Sequence, residues 1–206
     1  MKTIFIVGSH RKESQSLKVA KWLAHETQQK AESYETDIID LAAENLPMWD
    51  QAAWNKDSDL TKLIKPYQER VAAADAIVLI APEWGGMVPA ALKNFLLYIS
   101  AAQAAHKPAL IVGVSSGRGG TYPISELRMS GYKNNHMTYI PEHLIVQHVE
   151  AVMNEPALDA GESADQYIKN RASYTLGVLM AYSKSLKDMR DNPAHAIKHP
   201  DYPFGM

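Results

Sequence analysis

The chain has no cysteine among its 206 residues. Disulfides, thiolate catalysis and cysteine-ligated metal centres are excluded with it, and the composition agrees with a reducing cytoplasm, the expected localisation. An excess of charge of one sign is also missing. Lys and Arg number 21 against 23 Asp and Glu, a formal net charge of −2 at pH 7, so nothing electrostatic draws the chain to nucleic acid or to an anionic membrane. No stretch approaches the roughly 20 apolar residues of a membrane span, and the apolar start in MKTIFIVGS is too short for a signal peptide. The eight histidines form no H-E-x-x-H pattern, and His143 and His148 are expected on opposite faces of one strand, so no metal site is expected. The Walker spacing G-x-x-x-x-G-K-[ST] and the dinucleotide fingerprint G-x-G-x-x-G are absent too.

What the chain does have is regular alternation. Hydrophobic residues make up 46%, enough for a globular core and one domain. Strand patterns are expected at Thr3 to Gly8, Glu35 to Leu41, Ala76 to Ala81, Ala109 to Val114 and His143 to His148. Between them lie helical patterns. The first runs from Ser14 to Lys30. The second precedes Asp75, its regular part starting near Lys65 because of Pro66. The third runs from Pro89 to Ala105 and a fourth ends near Tyr132. The last spans Ser163 to Lys187, with Lys184, Lys187 and Arg190 as a solvated cap. The domain is expected over residues 1–190, with an irregular tail at 191–206. Five βα units of this kind predict an α/β fold, a three-layer sandwich around a parallel sheet in the order 2-1-3-4-5.

Ligands of such sheets bind beyond the carboxyl ends of the strands, beside strand one. Three loops converge there. The first, GSHRKESQS, places Ser9, Ser14 and Ser16 and the Arg11 guanidinium around a helix start. Free backbone N–H groups and the helix dipole make such a place suited to phosphate. The second, PEWGGMVP, exposes backbone at Gly85 and Gly86, and Glu83 is an expected acceptor for loop amides. The third, SSGRGGTYP, offers N–H donors without bulky side chains. One phosphate site and two backbone-donor clefts suit a planar, hydrogen-bonding ring with a phosphate tail. His10 lies inside the first loop, as a donor or facing solvent. Trp49 and Trp54 are expected to anchor the long loop after strand two in the core.

At these three loops the chain resembles the NADPH-dependent FMN reductases of the flavodoxin-like superfamily, which include chromate, quinone and azo-dye reductases. GSHRKESQS is similar to the family's G-S-x-R-x-x-S-x-N/S, PEWGGMVPAALKN to P-E-Y-N-x-S-x-P-G-x-L-K-N, and SSGRGG to S-x-G-x-x-G-G. A weaker likeness continues through IPEHLIVQ. The resemblance implies that Ser9, Arg11, Ser14, Ser16 and the Leu17 N–H bind the FMN phosphate. It also implies that Pro82, Glu83, Trp84, Gly85, Ser116, Gly117, Gly119 and Gly120 line the isoalloxazine. Gly85 stands where the family often has Asn, Trp84 where Tyr is common, and Met87 where a small polar residue is usual. The implied chemistry is hydride transfer from NADPH or NADH to FMN and on to a small acceptor: a quinone, flavin, chromate, ferric or azo compound. It needs no catalytic side-chain acid or base. The resemblance further implies a homodimer or homotetramer. A flavin-binding electron carrier or sensing module and a phosphate-ester enzyme without flavin are the alternatives.

Overall fold

The computed structural model describes residues 1–30, 33–154, 162–195 and 201. Its strands are β1 (Lys2–Val7), β2 (Glu35–Asp40), β3 (Ala76–Pro82), β4 (Pro108–Val114) and β5 (Thr138–Val146). The helices are α1 (Gln15–Lys30), α2 (Leu41–Glu44), α3 (Asp59–Ala72), α4 (Ala90–Leu97), α5 (Ala101–Ala104), α6 (Thr121–Met129) and α7 (Glu162–Asp191), with a 3₁₀ turn at Gln51–Trp54. The strands form one parallel sheet in the order β2-β1-β3-β4-β5, as expected.

Every residue of β3 and β4 is buried, as central strands covered on both faces require. Alternation along the strands divides the core in two. Phe5, Val78, Leu110 and Val112 face Val19 and Leu23 of α1 and Ala172 and Leu176 of α7. Ile4, Leu79 and Ile111 face Val71 of α3, Leu92 and Phe95 of α4 and Leu127 of α6. Each fully buried Ile, Leu or Phe contributes roughly 1.5–3 kcal/mol. These two layers hold the strand ends in place.

Several boundaries differ from the sequence reading, each for a local reason. α3 begins at Asp59, well before Lys65, because Ser58 caps it: Ser58 Oγ accepts from the Thr61 N–H at 3.0 Å. Pro66 sits inside the helix, at the cost of one helical hydrogen bond. The third helical pattern is two helices. Its chain turns at Tyr98 and restarts at Ser100, whose hydroxyl accepts from the Ala102 N–H while Gln103 accepts from the Ser100 N–H. β5 starts at Thr138, before His143, and includes Pro141, which an edge strand tolerates. Arg128 covers that edge, donating to the carbonyls of Ile140 and Pro141. His148 lies past the strand with φ 46°, so it does not share a strand with His143 as expected. Trp54 is 76% exposed and meets Trp49 edge to face at 5.1 Å, so it is no core anchor. The last helix runs on to Asp191, and Arg190 at its end is largely buried against Asp75, not solvated. Most of the expected tail lies outside the described residues. No described helix is long and apolar enough to cross a membrane.

Candidate functional site

The carboxyl ends of four strands finish in step. Ile80 of β3 faces Val7, Val114 faces Pro82, and Val146 faces Val114. The next N–H of each inner strand then bonds across to its neighbour: Gly8 to the Ile80 carbonyl at 2.8 Å, Glu83 to that of Val114 at 2.9 Å, and Ser115 to that of Val146 at 2.9 Å. Four loops therefore leave the sheet at one level.

The first loop builds a polar turn onto α1. Ser9 is buried, and its Oγ accepts from the Arg11 N–H at 3.2 Å. Ser14 caps α1, its Oγ accepting from the Leu17 N–H at 3.1 Å. The Gln15 and Ser16 amides open the helix and have no intrahelical partner. Among the described residues Arg11 is exposed and its guanidinium has no assigned partner, so it is free to meet an anion.

The second loop makes a two-residue turn. Gly85 and Gly86 have φ of 58° and 73°, and Trp84 and Met87 exchange backbone hydrogen bonds at 3.2 and 3.1 Å. Both positive φ values define a type I′ turn, which favours Asn or Gly first. The replacement of the family's Asn by Gly85 therefore preserves the backbone. Trp84 stacks edge to face with His10, ring centroids 4.5 Å apart. That contact joins the first loop to the second and gives His10 a place.

Glu83 governs the third loop. Its Oε2 accepts from the Gly120 N–H at 2.6 Å and from the Tyr122 N–H at 3.3 Å. Gly120 is the N-cap residue of α6 and has no side chain to cap with, so the carboxylate from the second loop performs that role and meets the positive end of the helix dipole. A close approach fixes the same loop from beneath: a Cβ on Gly113 would lie 2.0 Å from the Gly120 carbonyl oxygen.

The fourth loop, after β5, carried no signal of glycine or hydroxyl residues in the sequence. Its His148 N–H donates to the Gly117 carbonyl at 2.9 Å and its Val149 N–H to the Ser115 carbonyl at 3.1 Å. Gln147 Nε2 donates to the carbonyls of Arg118 and Gly119. From below, Lys18 Nζ on α1 donates to the Val149 and Val152 carbonyls at 2.6 and 2.8 Å and to Asn154 Oδ1 at 2.8 Å. Burial pushes the Lys18 ammonium below the ordinary lysine value, while the carboxylates of Asp165 and Glu150 pull it back up.

Between the loops lies a cleft of about 220 Å³. Ser9, Arg11, Ser14 and Ser16 line it from the first loop, Pro82, Glu83 and Trp84 from the second, and Ser116 from the third. These eight were all expected from the sequence. The structure adds Glu13, Gln15, Val114 and Ser115, and from the fourth loop Val149 and Glu150. Five expected residues stand back from the lining. Leu17 is a turn deeper, and its N–H is held by Ser14. Gly85 is at the turn tip. The Gly117 and Gly119 carbonyls accept from the fourth loop, and the Gly120 N–H is held by Glu83. Arg11 is the single cation among the described lining residues, which also include Glu13, Glu83 and Glu150.

Comparison with known proteins agrees with this arrangement. Over 175 residues, 84% of this chain and 92% of the relative, the chain is 29% identical to an NADPH azoreductase of Bacillus sp. strain OY1-2. It is 35% identical to an FMN-dependent NADPH-azoreductase of Staphylococcus haemolyticus, over 63% of this chain and 68% of the relative. The fold matches that of FerB, a flavoenzyme NAD(P)H:(acceptor) oxidoreductase from Paracoccus denitrificans, with a TM-score of 0.64 and 21% identity over 91% of this chain and 97% of that one. Residues 1–151, which hold every residue lining the cleft, match the model of the NADPH-dependent FMN reductases, and the chain belongs to that family.

Proposed function

We propose that the protein is an FMN-dependent NAD(P)H oxidoreductase that reduces small planar acceptors, azo compounds and quinones among them. The observation that carries this reading is the meeting of four loops at one level of the sheet, around one cleft lined by a polar helix start and by a half-buried tryptophan beside a glycine turn. The residues present fit FMN. Ser9, Ser14, Ser16, Arg11 and the first amides of α1 suit its phosphate, and Pro82, Trp84, Ser116 and the backbone of the second and third loops suit its ring.

When bound, FMN supplies the redox chemistry, accepting hydride from NAD(P)H and returning electrons to the acceptor. The protein's part is orientation. Arg11 neutralises phosphate charge, while the Glu83 carboxylate holds the third loop so that its remaining N–H groups keep a fixed aim. Trp84, steadied by His10, gives an apolar side to the cleft. No side chain in the lining is required to move a proton.

The test is direct. The purified protein supplied with FMN should lose its flavin absorbance when mixed anaerobically with NADPH or NADH, and regain it on addition of a quinone or an azo dye. Persistence of the flavin band under excess nicotinamide would sink the reading. The same reading carries a cytoplasmic place of work and a homo-oligomer, for which Leu97 and Met129, 62% and 79% exposed, are available apolar contacts. A monomer by light scattering would remove the second of these.

A further inference from the structure

Lys18 belongs to no motif of the family, yet it makes the densest set of polar contacts near the cleft. An ammonium has three N–H donors, and here each has an acceptor within 2.8 Å: the Val149 carbonyl, the Val152 carbonyl and Asn154 Oδ1. All three belong to one irregular segment more than 130 residues away in sequence. The buried side chains of Val149, Val152 and Met153 seat that segment in the core, and Lys18 holds its backbone. The segment belongs to no strand, and His148 and Met153 sit in the left-handed region at φ 46° and 54°, a conformation that side-chain-bearing residues keep only when their surroundings enforce it. Asp165 adds one contact, accepting from the Met153 N–H at 2.6 Å, and Asn154 Nδ2 ties back to the Glu150 carbonyl at 3.1 Å.

The position of Lys18 on α1 matters as much as its contacts. The Ser14 carbonyl accepts from both the Leu17 and the Lys18 N–H. One helical turn therefore presents Ser14, Gln15 and Ser16 to the cleft on one side and holds the segment bearing Val149 and Glu150 on the other. We propose that Lys18 is a positioning residue for the flavin site, clamping the Val149–Asn154 segment so that the fourth wall of the cleft is fixed to the same turn that receives the phosphate. The inference rests on the proposed function, because it concerns how tightly FMN is held.

The test compares Lys18→Met, which keeps the apolar stem and removes the donors, with Lys21→Met, which removes a charge from the same helix and leaves the clamp. FMN affinity is read by flavin fluorescence, and amide hydrogen exchange is followed along the chain. In Lys18→Met the Kd for FMN should rise about tenfold, the scale of lost charge-assisted hydrogen bonds in a partly buried setting. Exchange should quicken at residues 148–154 and stay unchanged in the sheet, and saturating FMN should restore kcat. Lys21→Met should match the wild type in all three readouts. A Kd in Lys18→Met within about twofold of the wild type, an equal loss in Lys21→Met, or loosening spread across the sheet overturns the proposal. If Lys18→Met does not fold, Asn154→Ala removes one acceptor and should raise the Kd about threefold; an unchanged Kd there overturns it as well. Failure of the wild type itself to bind FMN would instead overturn the proposed function, and this inference with it.

Discussion

At the carboxyl ends of the strands Lys18 meets three acceptors of an irregular loop. At the amino ends Lys107, 7% exposed, meets the Val71 and Ala72 carbonyls at the end of α3, at 2.8 and 2.6 Å. Both lysines bury an ammonium against backbone oxygen, and burial lowers the pKa of both. What they hold differs. Lys107 satisfies the carbonyls that a helix necessarily leaves open, between Val71 in the core and the Asp75–Arg190 pair. Lys18 satisfies carbonyls left without a helical or sheet donor because the segment after β5 abandons regular structure. The amino edge is tied into the fold, whereas the carboxyl edge is tied into a cleft. Substitutions at the first should change stability and leave flavin binding alone, and those at the second should do the reverse.

The largest effect is expected where the division breaks down. Gly113 is a core position of β4 in contact with the third loop. Gly113→Ala puts a methyl into the Gly120 carbonyl, an overlap of backbone atoms that no rotamer relieves. A loss of about 3 kcal/mol in urea unfolding together with weak FMN binding is expected, and retention of either property would contradict the close approach. Arg11→Ala comes next and falls on one side only. FMN binding should weaken by about 2 kcal/mol, the scale of a hydrogen bond to a charged group, with an unchanged melting temperature. An unaltered Kd by fluorescence titration would remove Arg11 from the phosphate site.

Lys107→Met should do the opposite, costing about 1–2 kcal/mol of stability through two carbonyls left without donors, with the FMN Kd unmoved. Its pH dependence has a definite sign. Burial pushes the Lys107 ammonium down to about 8 in the fold, against an ordinary value of 10.5. Between these values the unfolded chain holds a proton that the folded chain has released, so stability rises with pH. The neutral amine still has two N–H groups for its two carbonyls. The wild type should therefore gain on Lys107→Met as the pH is raised above about 8 in parallel unfolding curves, and a constant gap would refute the assignment. The smallest effect is His10→Ala, which removes one edge-to-face contact worth about 0.5–1 kcal/mol. It should raise the FMN Kd two- to fivefold, about the range of that energy.

The same two edges explain what the sequence made legible. Runs such as AIVLIA and ALIVGV announce central strands by composition alone, and the three loops after β1, β3 and β4 carry hydroxyls, glycines and an arginine. Eight of the residues expected at the site line one cleft as a result. The fourth loop was not legible because it contributes carbonyls, a valine and a glutamate, and any segment has carbonyls. Gly113 was read as one more residue of an apolar strand, since its contact with Gly120 exists only after two loops have met. Pro66 misled for a related reason: a proline penalises a helix, but the cap at Ser58 decides where the helix begins. Arg190 looked like a solvated helix end because its partner Asp75 is far away in sequence.

The cap of α6 comes from Glu83, 37 residues before the Gly120 that it serves. The helix cannot draw on its own sequence to start, because nucleation is the costly step and its cap residue is a glycine. Its first turn must wait until β3 and β4 have paired and brought the carboxylate across. In folding kinetics the start of α6 is therefore expected to be a late event, formed after the rate-limiting barrier. Glu83→Ala should therefore speed unfolding and leave the folding rate close to that of the wild type, which the two arms of a chevron plot distinguish. A slowed folding arm would place the cap in the nucleus instead. On that expectation the cleft closes only after the sheet has formed, and its third loop opens without the sheet.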